Sequence, residues 1–248
     1  MLKKRIIPTL LYNNNNLVKG KNFNNWRSVG SPITGMKIYN LRDVDEIYFA
    51  FTQNKDLKFD LDFLSNISYE CSVPLTVGGG IKSISDVDEI LKSGADKIAI
   101  NTQAFKNKNF IKNLVDKYGS QQIVISVDYK KIKNDLFCFS DSGKVNTGIK
   151  LFDWLETIQK LNIGEIILCS IDNDGMMDGY DINTLKKIIK SIEVPLIISG
   201  GAGSKKDILE AFEVGASAVS ISSLFHFTEV TPKEIKEYLK KNEIPVRL

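Results

Sequence analysis

The chain contains two glycine-rich stretches of nearly the same composition, 121 residues apart. Val73-Pro74-Leu75-Thr76-Val77-Gly78-Gly79-Gly80 is matched by Val194-Pro195-Leu196-Ile197-Ile198-Ser199-Gly200-Gly201. Further on, Ser93-Gly94-Ala95-Asp96-Lys97-Ile98-Ala99-Ile100 is matched by Val214-Gly215-Ala216-Ser217-Ala218-Val219-Ser220-Ile221. Glycines such as Gly80, Gly201 and Gly203 have no side chain to hold an oxyanion away from backbone N–H groups. The pairs that follow each copy, Asn101-Thr102 and Ser222-Ser223, supply amide and hydroxyl donors. Asp174 and Gly175, in the run Asp172-Asn173-Asp174-Gly175, would complete the second cradle through their backbone. Two cradles facing one cavity suit a ligand with a phosphate at each end. One copy alone reads equally well as a tight turn needing positive φ; repetition with polar residues at matching ends favours phosphate.

Asp128, in Val127-Asp128-Tyr129-Lys130, closes an apolar run, where a carboxyl can move protons within a cavity. A loop-capping aspartate is the plain alternative. Lys19 falls in an expected flexible loop after the first apolar run, where an isolated surface lysine would be unremarkable. His226, the only histidine, lies between Phe225 and Phe227 and suits partial burial, and Trp26 and Trp154 suit packing. One histidine excludes a histidine-rich zinc site, and no Gly-x-Ser-x-Gly marks a nucleophilic serine. No metal or organic cofactor is implied.

Short apolar runs alternate with amphipathic segments along all 248 residues. Strands are expected at 5–10, 46–51, 75–77, 97–100, 123–128, 165–170, 196–199 and 218–221. Helical patterns intervene, as in Ser85-Asp86-Val87-Asp88-Glu89-Ile90-Leu91 and Trp154 to Leu161. Eight strands alternating with helices close into a parallel (β/α)₈ TIM barrel, whose usual length is about 250 residues. We expect one domain, 1–248, with a half-barrel internal repeat. A doubly wound sheet would want Gly-x-Gly-x-x-Gly after its first strand, where this chain has Thr9-Leu10-Leu11-Tyr12. Two long connections stand out: Asn13–Asn16 through Lys19-Gly20 to Trp26, and residues 130–148, which contain hairpin-like pieces.

A formal charge of +3, not concentrated with aromatics, argues against nucleic acid as a partner. The stretch 1–12 reads as a first strand rather than a signal peptide, and nothing approaches the ~20 apolar residues of a membrane span. Cys71, Cys138 and Cys169 are scattered, which fits a reducing cytoplasm rather than a disulfide framework.

Several motifs together resemble the cyclase subunit of imidazole glycerol phosphate synthase, the HisF family. They are Lys4-Arg5-Ile6-Ile7-Pro8, Val18-Lys19-Gly20, Thr76-Val77-Gly78-Gly79-Gly80-Ile81, Gly94-Ala95-Asp96-Lys97, Gly119-Ser120-Gln121, Asp172-Asn173-Asp174-Gly175, Ser199-Gly200-Gly201-Ala202-Gly203, Phe225-His226-Phe227 and Val246-Arg247-Leu248. The resemblance runs nearly end to end. It implies a bisphosphate ligand, a substrate-gripping Lys19, and ammonia delivered by a HisH-like glutaminase docked at the barrel base. It also implies an ammonia gate formed by Arg5, Glu46, Lys97 and Glu165, each beginning a strand, and a glutaminase contact at Asp96.

The departures are as informative. The family's acid–base pair lies after strands one and five; Asp128 matches the second, but the strand-one Cys-Leu-Asp-Val becomes Thr9-Leu10-Leu11-Tyr12. Leu11 cannot exchange a proton. A family aspartate near the end of strand two gives way to Ala50-Phe51-Thr52, and Asn13–Asn16 replace a lysine/aspartate/glycine loop. This combination is similar to a diverged HisF branch that partners a HisH-like glutaminase and a sugar amidotransferase, converting acetamido to acetamidino groups in surface glycans. The alternatives are a working cyclase of histidine biosynthesis, a non-catalytic glutaminase-activating scaffold, and an unrelated phosphosugar isomerase on the same fold.

Overall fold

A computed structural model describes residues 2–52 and 60–248; Met1 of the opening strand pattern lies outside them. Eight strands, β1 (Arg5–Asn13), β2 (Ile47–Phe51), β3 (Leu75–Gly78), β4 (Lys97–Ile100), β5 (Ile123–Ile132), β6 (Glu165–Ser170), β7 (Leu196–Ser199) and β8 (Ala218–Ile221), pair in parallel with their chain neighbours. Arg5 opposite Ala218 joins β1 to β8 and shuts the ring. The (β/α)₈ barrel expected from the alternation is therefore present. Glu46 sits one residue before β2 rather than inside it.

Helices α1 (Pro32–Asn40), α2 (Leu61–Tyr69), α3 (Ile84–Lys92), α4 (Lys108–Tyr118), α5 (Leu151–Gln159), α6 (Ile182–Ile188), α7 (Lys205–Val214) and α8 (Pro232–Lys241) follow the strands in turn. Their apolar stripes bury against outward-facing strand residues such as Leu10, Phe49, Val77, Ile125 and Leu168, which form the main core. Inside the ring a separate small cluster, Ile7, Ala99, Val124, Ile167, Ile197 and Ala218, with Tyr48 against it, fills the lumen. A period of two along each strand sends alternate side chains to these two cores.

The half-barrel repeat is visible in backbone detail. Helices α3 and α7 both open with a capping box, Ser83 with Asp86 and Ser204 with Asp207, at equivalent positions of the two copies. The α3 cap thus lies two residues before the Ser85 start suggested by the pattern. Asn101 and Ser222 share an unusual backbone, φ/ψ −115/−82° and −128/−72°. Each leads into a five-residue helical segment, Thr102–Lys106 and Ser223–Phe227.

The two long connections are also related. Both β1 and β5 run past the barrel rim into antiparallel ribbons, β1 through Asn16–Lys21 and Asn24–Gly30, and β5 through Asp135–Ser140 and Val145–Lys150. The first connection is thus a paired β-ribbon, not the flexible loop that its asparagines suggested. Asn14 and Asn15 (φ 46° and 65°) take left-handed conformations that asparagine tolerates, which turns the chain tightly enough to pair. Among the described residues no helix is long and apolar enough to cross a membrane.

Because the two caps are equivalent, Ser83→Ala and Ser204→Ala should each lower unfolding free energy by about 1 kcal/mol. Urea denaturation of the two variants should give matching shifts.

Candidate active site in the barrel mouth

A cavity of about 820 Å³ opens at the C-terminal ends of the strands, the end at which barrels of this type carry their chemistry. Lys19, Gly80, Asn101, Thr102, Asp128, Asp174, Gly175, Gly201, Ser222 and Ser223 all line it. Sequence positions spread over two hundred residues meet there because each lies at the upper end of a barrel strand or in the ribbon or loop that follows it. Gly203 does not line the cavity. Its amide donates to Asp207 Oδ2 at 3.0 Å, and a Cβ there would collide with the Met177 carbonyl. Gly201, at φ +119°, likewise admits no Cβ because the Gly179 carbonyl fills that space. These two glycines are required by close backbone approach.

At the repeat-related strand ends polar side-chain atoms are left over, an amide oxygen in the first copy and hydroxyls in the second. Asn101 Oδ1, Ser222 Oγ and Ser223 Oγ are buried atoms with no hydrogen-bond partner among the described residues. Burying a polar atom unpaired costs on the order of 1–3 kcal/mol, so matching unpaired groups beside two glycine turns mark places where a polar ligand would be held. Thr102 Oγ1 accepts from the Asp141 amide at 3.0 Å, tying the β5 ribbon to the first cradle.

Asp128 is buried and accepts one hydrogen bond, from Asn101 Nδ2 at 3.0 Å. Burial, with a smaller contribution from Asp174, pushes its carboxyl up to about 7. Burial is the dominant cause physically too, because the Asp174 charge is already met by Lys19. Lys19 Nζ contacts both Asp174 oxygens, at 2.8 and 2.6 Å, with the lysine side chain 1% exposed. Lys19 is therefore not a loop lysine free to grip; it sits in the β1 ribbon and is committed to an ion pair. The Asp174 amide is also spent, donating to Ser170 and Ile171 carbonyls, so its carboxylate rather than its backbone faces the site. Asn22 donates to the carbonyls of Ile171 and Asp172, which fastens the ribbon over this side of the mouth.

Leu11 and Ala50 are cross-strand partners on β1 and β2, and both line the cavity. Phe51 borders the cavity, but its ring packs with Tyr12 and Phe49 at centroid distances of 5.3 and 5.4 Å, in an aromatic cluster that includes Phe63. Of the two bulky departures at the mouth, Leu11 is thus the one whose side chain alternates into the lumen. His226 is half-buried; burial, with Lys19 nearby, drops its imidazole to about 4. Cys169 also lines the cavity, and burial raises its thiol well above the ordinary value.

Below the mouth lie groups that motif inspection did not single out. Thr9 Oγ1 pairs with Ser220 Oγ, and Ser220 Oγ with Ser199 Oγ at 3.1 Å. Tyr48 reaches across the lumen beside Ser126, its phenol near enough to β3 that a Cβ on Gly78 would lie 2.8 Å from it. The i, i+2 alternation along each strand was the available signal for this hydroxyl layer. Nothing in the sequence signalled the Lys19–Asp174 pair.

At the base, Arg5, Glu46, Lys97 and Glu165 form a closed ring of ion pairs. Arg5 reaches Glu46 and Glu165 at 2.8 Å each, and Lys97 reaches the same two at 2.9 and 3.2 Å. Thr76 Oγ1 donates to Glu46 at 2.7 Å, so this buried glutamate has three donors. Two charges of each sign cancel, and each carboxylate is shared by two cations. Burial alone would lower the Arg5 pKa, but Glu165 and Glu46 outweigh it and the net shift is upward. Asp96 does not join the ring; its carboxylate accepts from the Leu75 amide at 2.8 Å, at the start of β3.

Fold and site define a (β/α)₈ barrel with two repeat-related polar cradles and a single poised carboxyl at its mouth, above a neutral charged base. The family model described as "Histidine biosynthesis protein" matches residues 5–231. The chain is 40% identical over 250 residues to the "Imidazole glycerol phosphate synthase subunit HisF" of Thermotoga sp. (strain RQ2), covering all of this chain and 99% of that one. It is 41% identical over 249 residues, with both chains fully covered, to the "Putative imidazole glycerol phosphate synthase subunit hisF2" of Campylobacter jejuni subsp. jejuni serotype O:2 (strain ATCC 700819 / NCTC 11168). The chain belongs to this histidine biosynthesis family and is HisF-like.

Two outcomes follow from the site. A carboxyl whose folded pKa is raised binds its proton more tightly in the native state, so its ionisation subtracts stability as pH rises from about 4 to about 7. Asp128→Asn removes that loss and should raise Tm by several degrees at pH 8, with a smaller gain at pH 5, as thermal melts would register. Glu46→Gln leaves Arg5 and Lys97 sharing one carboxylate and should cost on the order of 3 kcal/mol in guanidinium unfolding.

Proposed function

We propose that this barrel takes ammonia from a HisH-like glutaminase docked at its base and supports amidination, acetamido to acetamidino, of a surface-glycan or glycoprotein sugar. In this role it works beside a sugar amidotransferase and binds a bisphosphate ligand across the two cradles. The observation that carries this reading is one barrel combining an intact charged ring with a mouth whose β1 wall bears Leu11. Arg5, Glu46, Lys97 and Glu165 act as the gate through which a small neutral molecule enters, and Asp96 lies toward the glutaminase contact. Asp128, with a pKa near 7, can give or take a proton at neutral pH. Gly80, Asn101 and Thr102 hold one phosphate, and Gly201, Ser222 and Ser223 the other. Lys19, paired with Asp174 beside Gly175, holds the β1 ribbon over the second cradle. Two opposed acid–base groups are what ring closure needs in the family, and Leu11 removes one of them.

The second reading is a working cyclase subunit of imidazole glycerol phosphate synthase. In its favour stand 40% full-length identity to proteins so named and the presence of Asp128.

The two separate in one assay. With added ammonia and the formimino-phosphoribulosyl precursor, the chain should form imidazole glycerol phosphate roughly 10²–10⁴-fold more slowly than a working cyclase, and Leu11→Asp should recover part of that loss. Turnover by the unmodified chain at the rate of a working cyclase would overturn our reading. Co-expression with the HisH-like glutaminase should give a complex whose ammonia release rises when a bisphosphate is added.

A further inference from the structure

The order of strands around the closed ring determines what surrounds a ligand that bridges the cradles. One cradle caps β3 and β4 and the other caps β7 and β8, so β1 and β2 stand between them on one side and β5 and β6 on the other. The two intervening walls differ sharply in chemistry. The β5–β6 wall carries Asp128, Ser126 and Cys169, with Asp174 just beyond. The β1–β2 wall carries Leu11 and Ala50 in register, above the Tyr48 ring. The hydroxyls on that side have partners within the protein: Thr9 pairs with Ser220, Thr52 donates to the Tyr12 carbonyl and Tyr48 pairs with Ser126.

We infer that the ligand held across the cradles is a bisphosphate whose central unit presents an apolar face, hydrocarbon or flat ring, to Leu11 and Ala50. Only its opposite face meets a proton-transferring group, Asp128. A polyhydroxylated spacer is disfavoured because hydroxyls turned toward β1 and β2 would lose water without gaining a partner. An apolar spacer gains by leaving water on that same wall. Ala50 is small, so the wall has depth as well as apolar character. This assignment of ligand class rests on the phosphate reading of the cradles proposed above.

Calorimetric titration with three probes, inorganic phosphate, pentane-1,5-diyl bisphosphate and ribitol 1,5-bisphosphate, tests it. The two bisphosphates have the same carbon count and differ in the spacer's hydroxyls. The unmodified chain should bind the pentane-diyl compound at least about tenfold more tightly than the ribitol compound. Leu11→Asp should shrink or reverse that ratio, and the milder Ala50→Ser should move it the same way should the charged variant fold poorly. Equal or tighter binding of the ribitol compound by the unmodified chain overturns this inference while leaving the phosphate cradles standing. Failure of all three probes to bind overturns the cradles, and this inference with them.

Discussion

Closing eight strands into a barrel forces every second side chain of every strand into one narrow lumen. That constraint governs the rest of the molecule, because whatever those side chains carry must be mutually compatible at each height. At the base, four ionisable groups share the lumen, and they persist there because each charge has two opposite neighbours. One level up, aliphatic side chains fill the space. Above them hydroxyls pair with one another, and at the rim the lumen widens into the cavity. A gradient from charge through hydrocarbon to hydroxyl along one axis is thus a property of alternation plus closure.

The same constraint explains the poise of Asp128. A carboxyl on the rim of an open sheet would be solvated; here the wall of neighbouring strands and the ribbon fastened over the mouth bury it, and its proton is held to about neutral pH. Lys19 does not relieve this, because Asp174 has already claimed it. The ion pair instead clamps the β1 ribbon to the loop after β6, with Asn22 adding two further bonds there. One cation thereby organises the cover of the site, while Asp128, hydrogen-bonded to Asn101, stands on the opposite wall from Leu11.

Repetition divides labour within the molecule. Both halves follow a β-strand with a glycine turn, open the next helix with a serine–aspartate box and place an unpaired polar group just after the following strand. The walls between the cradles escaped that symmetry. On one side the wall carries Asp128, and on the other it carries Leu11 and Ala50.

Much of this was legible in the residues. Eight apolar runs, their order and their near-boundaries follow from short-range periodicity, and the 121-residue echo announced a doubled barrel with two equivalent glycine turns. Strand ends were enough to gather the cavity residues, since a parallel barrel puts all of them at one rim. Other features depended on atoms brought together from far along the chain. Lys19 and Asp174, 155 residues apart, carry no mutual signal, and the asparagine-rich connection hid a ribbon because its pairing depends on left-handed turns. Gly203 looked like an anion donor until the Met177 carbonyl was found against it, and that the Phe51 ring packs with Tyr12 and Phe49 was visible only in the fold. Local periodicity is encoded residue by residue, so the chain alone determined the barrel and its rim. Which polar groups spend their hydrogen bonds on each other, and which are left for a ligand, depends on three-dimensional neighbours and was decided only by the folded structure.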